Sequence, residues 1–368
     1  MKKIYSITFI ISLLMISGSL FAGNEQRAGQ AGASELLINP WAASSGWAGA
    51  GSASTRGIEA LFHNVAGTAF TQKTELAFSR VNWFQGTQIY INNFGLSQRL
   101  GENGGVFSLA FTSMDFGTID VTTVENPDGT GATFHPTYTT ITAAYAKDFS
   151  NSIHGGLAVK IVNEGISNLK SSGVALDAGI IYVTGIGKNK LGKRKKDNFK
   201  FGISLKNVGP TMSFAGDGIS FRGSSVNGVV MTVQQRSDQF ELPSLLKIGL
   251  SYDIMIAPKV DTSGNKITSD HVITLASTYT SNSFTRDMIL MGARYSFKNL
   301  FVLRGGYQLE GSGNSDDVRT INYSGPTGGV SVHIPVSKEK GSYVSIDYSY
   351  RATEIFSGVH TFGARVVL

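Results

Sequence analysis

The sequence predicts an all-β protein: a 14-stranded antiparallel transmembrane β-barrel with an N-terminal segment plugging its lumen. Three observations predict it. Of 368 residues only 16% are charged while 41% are hydrophobic, against a charged share of about a quarter in ordinary soluble domains. From residue 74 onward, stretches of about ten residues alternate apolar and polar and are then broken by polar turns, the signature of strands with two unlike faces. The three longest connections between these stretches also fall on one side by parity, as in barrels with short periplasmic turns and longer extracellular loops.

Residues 1–22 read as a secretory signal peptide. Lys2 and Lys3 precede the apolar run Ile7 to Ile16, followed by Gly18, Ser19 and a cut after Ala22. Beyond this leader no apolar run reaches the roughly 18–20 residues of a membrane helix. The chain has no Cys, which excludes a disulfide scaffold, a zinc–thiolate site, an iron–sulfur cluster and a lipidated N-terminal cysteine.

Residues 23–73 form the expected plug. They are rich in Gly, Ala and Ser, with Trp41, Trp47 and a short helical stretch over Gly57–Phe62. Small residues allow close backbone approach to a crowded wall, and a tether in water has no use for Trp41, Trp47, Leu61 and Phe62. The inward charges Lys247, Arg294, Arg304 and Arg351 are the expected partners for the polar backbone of this segment.

Residues 74–368 carry the barrel. The candidate strands are 74–83, 87–99, 105–116, 137–149, 152–163, 173–187, 198–208, 241–256, 269–281, 287–297, 300–309, 326–336, 342–352 and 357–368. Their number is even and their lengths approach or exceed the roughly 9–11 residues that cross a bilayer. Leu246, Ile248, Leu250, Tyr252 and Ile254 alternate with Lys247, Gly249, Ser251 and Asp253, which places the first set toward lipid and the second in the lumen. The same alternation puts Lys160, Asp177, Lys200, Lys206, Lys247, Asp253, Arg294, Arg304, Asp347, Arg351 and Arg365 on the lumen face. Ion pairs filling a narrow interior are the favoured role, a ligand or selectivity surface the other. Aromatics near strand ends, including Tyr138, Phe149, Phe301, Tyr307 and Phe362, are expected as interfacial girdles.

With the first strand running outward, the connections 84–86, 117–136, 164–172, 209–240, 282–286, 310–325 and 353–356 fall outside and the turns 100–104, 150–151, 188–197, 257–268, 298–299 and 337–341 inside. One inner turn holds Lys188, Lys190, Lys193, Arg194, Lys195 and Lys196. It accounts for the formal net charge of +6, because with these six and the leader lysines removed the chain is slightly acidic. The basic balance is therefore local and does not indicate nucleic-acid binding. The turn is expected to meet an acidic partner or anionic headgroups in the periplasm.

Chemical motifs are weak. Gly187 to Lys193 fits the start of a phosphate-binding loop, but Arg194 stands where a hydroxyl is needed and a strand follows instead of a helix. The histidines 63, 135, 154, 271, 333 and 360 show no metal-ligand spacing. No enzyme, metal, cofactor or nucleotide role is expected.

Glu35-Leu-Leu-Ile-Asn-Pro-Trp-Ala-Ala-Ser-Ser-Gly-Trp-Ala-Gly-Ala-Gly51 and Gly57-Ile-Glu-Ala-Leu-Phe-His-Asn-Val-Ala-Gly67 resemble the opening of the PorV/PorQ family of outer-membrane proteins, relatives of the long-chain fatty-acid transporter barrels. Val65 replaces the proline of that family's Asn-Pro-Ala-Gly turn. Phe201 to Gly209, Leu242 to Tyr252, Arg304 to Tyr307, Asp347 to Tyr350 and Val359 to Arg365 extend the likeness over the mature chain. The plug motif it marks is Asn39, Pro40, Trp41, Gly46, Gly49, Gly51, Asn64 and Gly67. The resemblance implies a bacterial outer-membrane barrel surrounded by outer-membrane lipid. It further implies a non-enzymatic accessory of type IX secretion that binds the translocon barrel and the C-terminal signal domains of secreted cargo. The alternative it implies is a barrel of the fatty-acid-transporter type that takes up hydrophobic small molecules.

Overall fold

The computed structural model describes residues 24–187, 195–260, 267–311, 320–337 and 341–368. Fourteen strands form the wall: β1 (Thr74–Trp83), β2 (Ile89–Arg99), β3 (Val106–Asp115), β4 (Thr137–Asp148), β5 (Ile153–Ile166), β6 (Leu169–Thr184), β7 (Phe199–Val208), β8 (Leu245–Ile256), β9 (His271–Asn282), β10 (Met288–Phe297), β11 (Phe301–Glu310), β12 (Tyr323–Ser337), β13 (Ser342–Thr353) and β14 (Val359–Val367). Each pairs antiparallel with its sequence neighbour, and β1 closes the ring on β14 with Glu75 opposite Val367. A closed ring leaves no strand edge, which is what allows strands to stand in lipid at all. A 12-residue strand such as β8, tilted by roughly 40°, rises about 30 Å and spans the apolar band of a bilayer. Among the described residues no helix is long and apolar enough to cross a membrane.

The two faces are inverted relative to a soluble protein. Leu157, Ile180 and Ile346 point outward at 67%, 57% and 58% exposure. Inward positions such as Ser97, Thr274, Thr278, Ser345 and Thr361 are fully buried. Apolar area left in water costs roughly 25 cal/mol per Å², so the outer face requires lipid and the polar face an internal partner.

The two longest connections, 116–136 and 209–244, lie on the outer side as expected, while the inner 185–198 and 257–270 exceed the outer 311–322; 209–244 carries a hairpin, Ser220–Ser224 with Val230–Gln234. Three expectations are corrected. The predicted outer loop 164–172 is a two-residue turn, Ser167–Asn168, because β5 and β6 continue their pairing up to Ile166 opposite Leu169 and Ser167 takes a left-handed φ of 50°. β8 begins at Leu245 instead of 241, since Glu241 bridges to Ala31. Tyr138 is no girdle residue: its register beside Met114 turns it inward, edge-on to Phe116 at 4.9 Å.

The N-terminal segment threads this ring. Asn24, Arg27 and Gly32 meet the outer connections at Ser283, Glu241 and Phe284. The chain then descends through the interior and enters β1 at the inner end. Trp41, Ile58, Leu61 and Val65 pack with the small wall residues Ala77, Ala110, Ala144 and Ala158. Pro40 O accepts from Ser79 Oγ (2.6 Å), and Ala50 O from Thr278 Oγ1 (2.8 Å). The wall is thinned to fit. A Cβ on Gly95, Gly156, Gly179, Gly202, Gly249, Gly292, Gly306, Gly329 or Gly363 would strike this segment at 2.0–3.1 Å: at 2.0 Å on Gly179, 2.4 Å on Gly95 and 3.1 Å on Gly156 and Gly202. Nine of the fourteen strands thus lack a side chain where the segment passes.

Candidate functional site

The residues of the expected plug motif hold the segment's shape. Asn39 Oδ1 accepts from Trp41 N (3.0 Å) across Pro40, and its amide reaches Ser44 Oγ (3.1 Å) and His63 Nε2 (3.2 Å). Gly46 lies against the Gly329 backbone, Gly49 has φ +74°, Gly51 lies under Trp47, and Gly67 faces Thr55 O. Asn64 caps the 3-10 turn Val65–Phe70 through Ala66 N (3.1 Å) and donates to Ile180 O (3.1 Å) and Ile203 O (3.2 Å). Val65 in the proline position therefore leaves a regular, capped turn.

The inward charges divide into paired and free. Asp177 Oδ2 takes both Lys160 Nζ and Lys206 Nζ at 2.7 Å, and Lys206 also donates to Leu61 O (3.0 Å). Lys200 pairs with Asp253, which also accepts from Thr274 Oγ1 (2.7 Å). Arg365 stands among Glu59 (3.7 Å), Glu75 (3.6 Å) and Asp347 (3.9 Å). Arg351 donates to Asn39 O (3.2 Å). Lys247, Arg294 and Arg304 have no carboxylate within 4 Å among the described residues. They also do not bind the segment's carbonyls as expected: Lys247 lies over the Phe62 ring at 4.9 Å and Arg294 over Trp47 at 5.7 Å. Flat aromatic faces, more than carbonyls, line that part of the segment.

Two cavities lie on opposite sides of the segment. The outer one, of about 390 Å³, is walled by Leu37, Ile38, Phe62, Trp83, Leu245, Phe284, Met288 and Leu290, with Lys247, Arg351 and Gln308 as polar points. The inner one, of about 530 Å³, is polar and holds Arg56, Glu59, Glu75, Arg294, Arg304 and His333.

Sequence reasoning missed Arg56, Glu59, Glu35 and Glu75. The signal was present: they are among the few charges of residues 24–75, and in β1 the alternation places Glu75 inward with Ala77 and Ser79. Burial pushes the Glu59 carboxyl up, and burial together with Glu164 pushes that of Glu35 up to about 8. Burial drives His63 well below the usual histidine range. Among the described residues no cluster of three His, Cys, Asp or Glu side chains could hold a metal.

Of the basic turn, Lys188, Lys190, Lys193 and Arg194 lie outside the described residues. Lys195 and Lys196 sit at the inner end, with Lys195 N donating to Gly187 O at 2.9 Å.

A closed, upright ring of fourteen strands with an apolar exterior is an outer-membrane β-barrel. Among solved structures the chain is similar to the toluene transporter TodX of Pseudomonas putida, at 14% identity and TM-score 0.51 over 89% of this chain and 97% of that one. It is also similar to the deltaS2 mutant of the TodX monoaromatic hydrocarbon channel, at 12% identity and TM-score 0.49 over the same shares. At these identities the likeness is one of fold. No protein-family model and no curated protein matches the chain.

Proposed function

We propose that the protein is a non-enzymatic outer-membrane channel for hydrophobic small molecules, with residues 28–67 as the plug between its outer and inner cavities. The observation that carries this reading is the outer cavity. An apolar chamber of about 390 Å³ under the outer loops is the size of a small-ligand pocket. The toluene transporter TodX supports it through its shared fold. Lys247 adds specificity: an ammonium with no ion pair among the described residues, on the face of Phe62, favours an apolar molecule with an acceptor at one end.

A second reading, an accessory barrel for type IX secretion, is favoured by the sequence resemblance and by the outer hairpin. Phe221, Val229, Val230 and Met231 stand 48–66% exposed there, a surface suited to cargo signal domains and the translocon barrel.

The deciding experiment is affinity purification from native outer membranes followed by mass spectrometry of small molecules and proteins together. Channel function predicts an apolar ligand that is lost in a Leu290→Trp variant. Recovery of a giant barrel and cargo, with no ligand, would favour the second reading.

A further inference from the structure

The inner cavity holds three guanidinium groups that make no ion pair among the described residues, and we propose that it binds a multiply charged oxyanion of the phosphate class. The described carboxylates on its border face other partners, although Glu75 Oε1 is buried without a hydrogen bond. Asp253 is held by Lys200 and Thr274, Glu59 accepts from Ser44 N (2.7 Å), and Glu59 and Glu75 share Arg365. Arg56, Arg294 and Arg304 line the same cavity and make no ion pair among the described residues.

Their existing contacts leave most donors unused. A guanidinium carries five N–H groups. Arg294 spends one on the Thr274 hydroxyl (3.2 Å), and its Nε is buried without a partner. Arg304 spends one on the Ser331 hydroxyl (2.5 Å). Arg56 Cζ lies over the Phe70 ring at 4.4 Å, and the residue lines the cavity. Three planar forks around about 530 Å³ match the bidentate geometry of phosphate oxygens better than that of a single carboxylate. The site lies on the inner side of the plug, away from the apolar cavity, so it stands independently of the channel reading.

The experiment is calorimetric titration of the full-length protein in detergent with inorganic pyrophosphate. Wild type is expected to bind saturably, with affinity falling at least tenfold between 50 and 200 mM salt. Arg56→Gln orphans no partner, and Arg294→Gln removes a second fork; each is expected to weaken binding about tenfold or more, while Arg351→Gln, in the outer cavity, leaves it unchanged. Folding of each variant is read from retention of the compact, unheated band on a gel. A short-chain phosphatidic acid titrated in parallel tells a headgroup from a free phosphate, since only a headgroup site would prefer it. No saturable heat with wild type, or affinities unchanged in folded Arg56→Gln and Arg294→Gln, would overturn the proposal.

Discussion

Gly179 of β6 leaves bare the spot where Asn64 of the N-terminal segment docks: a Cβ on Gly179 would stand 2.0 Å from Asn64 Oδ1. The same Asn64 amide donates to the carbonyls of Ile180 and Ile203, so one side chain joins the segment to two adjacent strands. Wall and segment are fitted to each other here, and the fit makes a quantitative expectation.

Gly179→Ala is expected to destabilise the barrel by roughly 1–3 kcal/mol through overpacking. Asn64→Ala costs about 1–3 kcal/mol through lost buried hydrogen bonds. Because the new methyl meets the side chain that the second change removes, the double variant falls short of the sum. Midpoints for loss of the compact gel band, compared across the four proteins, check this. Full additivity would mean that Asn64 does not occupy that spot.

Asp177 is the counter-ion of two buried lysines, Lys160 and Lys206. Asp177→Ala leaves both ammonium groups uncompensated and is expected to cost about 3–5 kcal/mol. Replacing the three by Met, Leu and Met removes charge and counter-charge together and is expected to be near neutral. Urea unfolding of both variants measures the contrast.

Glu35 gives the segment a pH-dependent seat. Burial and Glu164 raise its carboxyl from 4.5 to about 8. The folded chain thus keeps a proton that the unfolded chain releases near 4.5, and stability from this group is whole below that value and declines as pH rises toward 8. Labelling of a cysteine placed at Ala33, in a chain with no other cysteine, should speed up from pH 5 to pH 8.5. Glu35→Gln should flatten the profile.

Deleting residues 28–67 is expected to open the lumen or to destabilise the wall, whose bare glycine positions would lose their partner. In planar bilayers the intact protein should stay closed, and a folded deletion variant should conduct in steady, porin-sized steps. Equal conductance before and after deletion would exclude the plug.

The barrel was legible because period-two alternation survives in lipid: Lys247, Asp253, Asp347 and Arg351 all face inward as their positions demand. The Ser167–Asn168 turn was not, since Lys170 to Ser172 read as polar loop while their backbone stays in register with Gly165 to Asn163. The division of the inward charges into paired and free was also hidden. Alternation assigns a face but not a partner, and Arg365 meets Glu59 across some three hundred residues of chain. The ring of bare glycines likewise looks like flexible turn chemistry until the segment lies against it.

Uptake of an apolar solute tests the central claim most directly. Cells carrying the protein in their outer membrane should take up radiolabelled toluene or a similar aromatic several-fold faster than cells with an empty vector. Leu290→Trp, which fills the outer cavity, should return uptake to the background rate while the barrel stays folded. Uptake no faster than the empty vector, with the protein folded and in the outer membrane, would contradict the account.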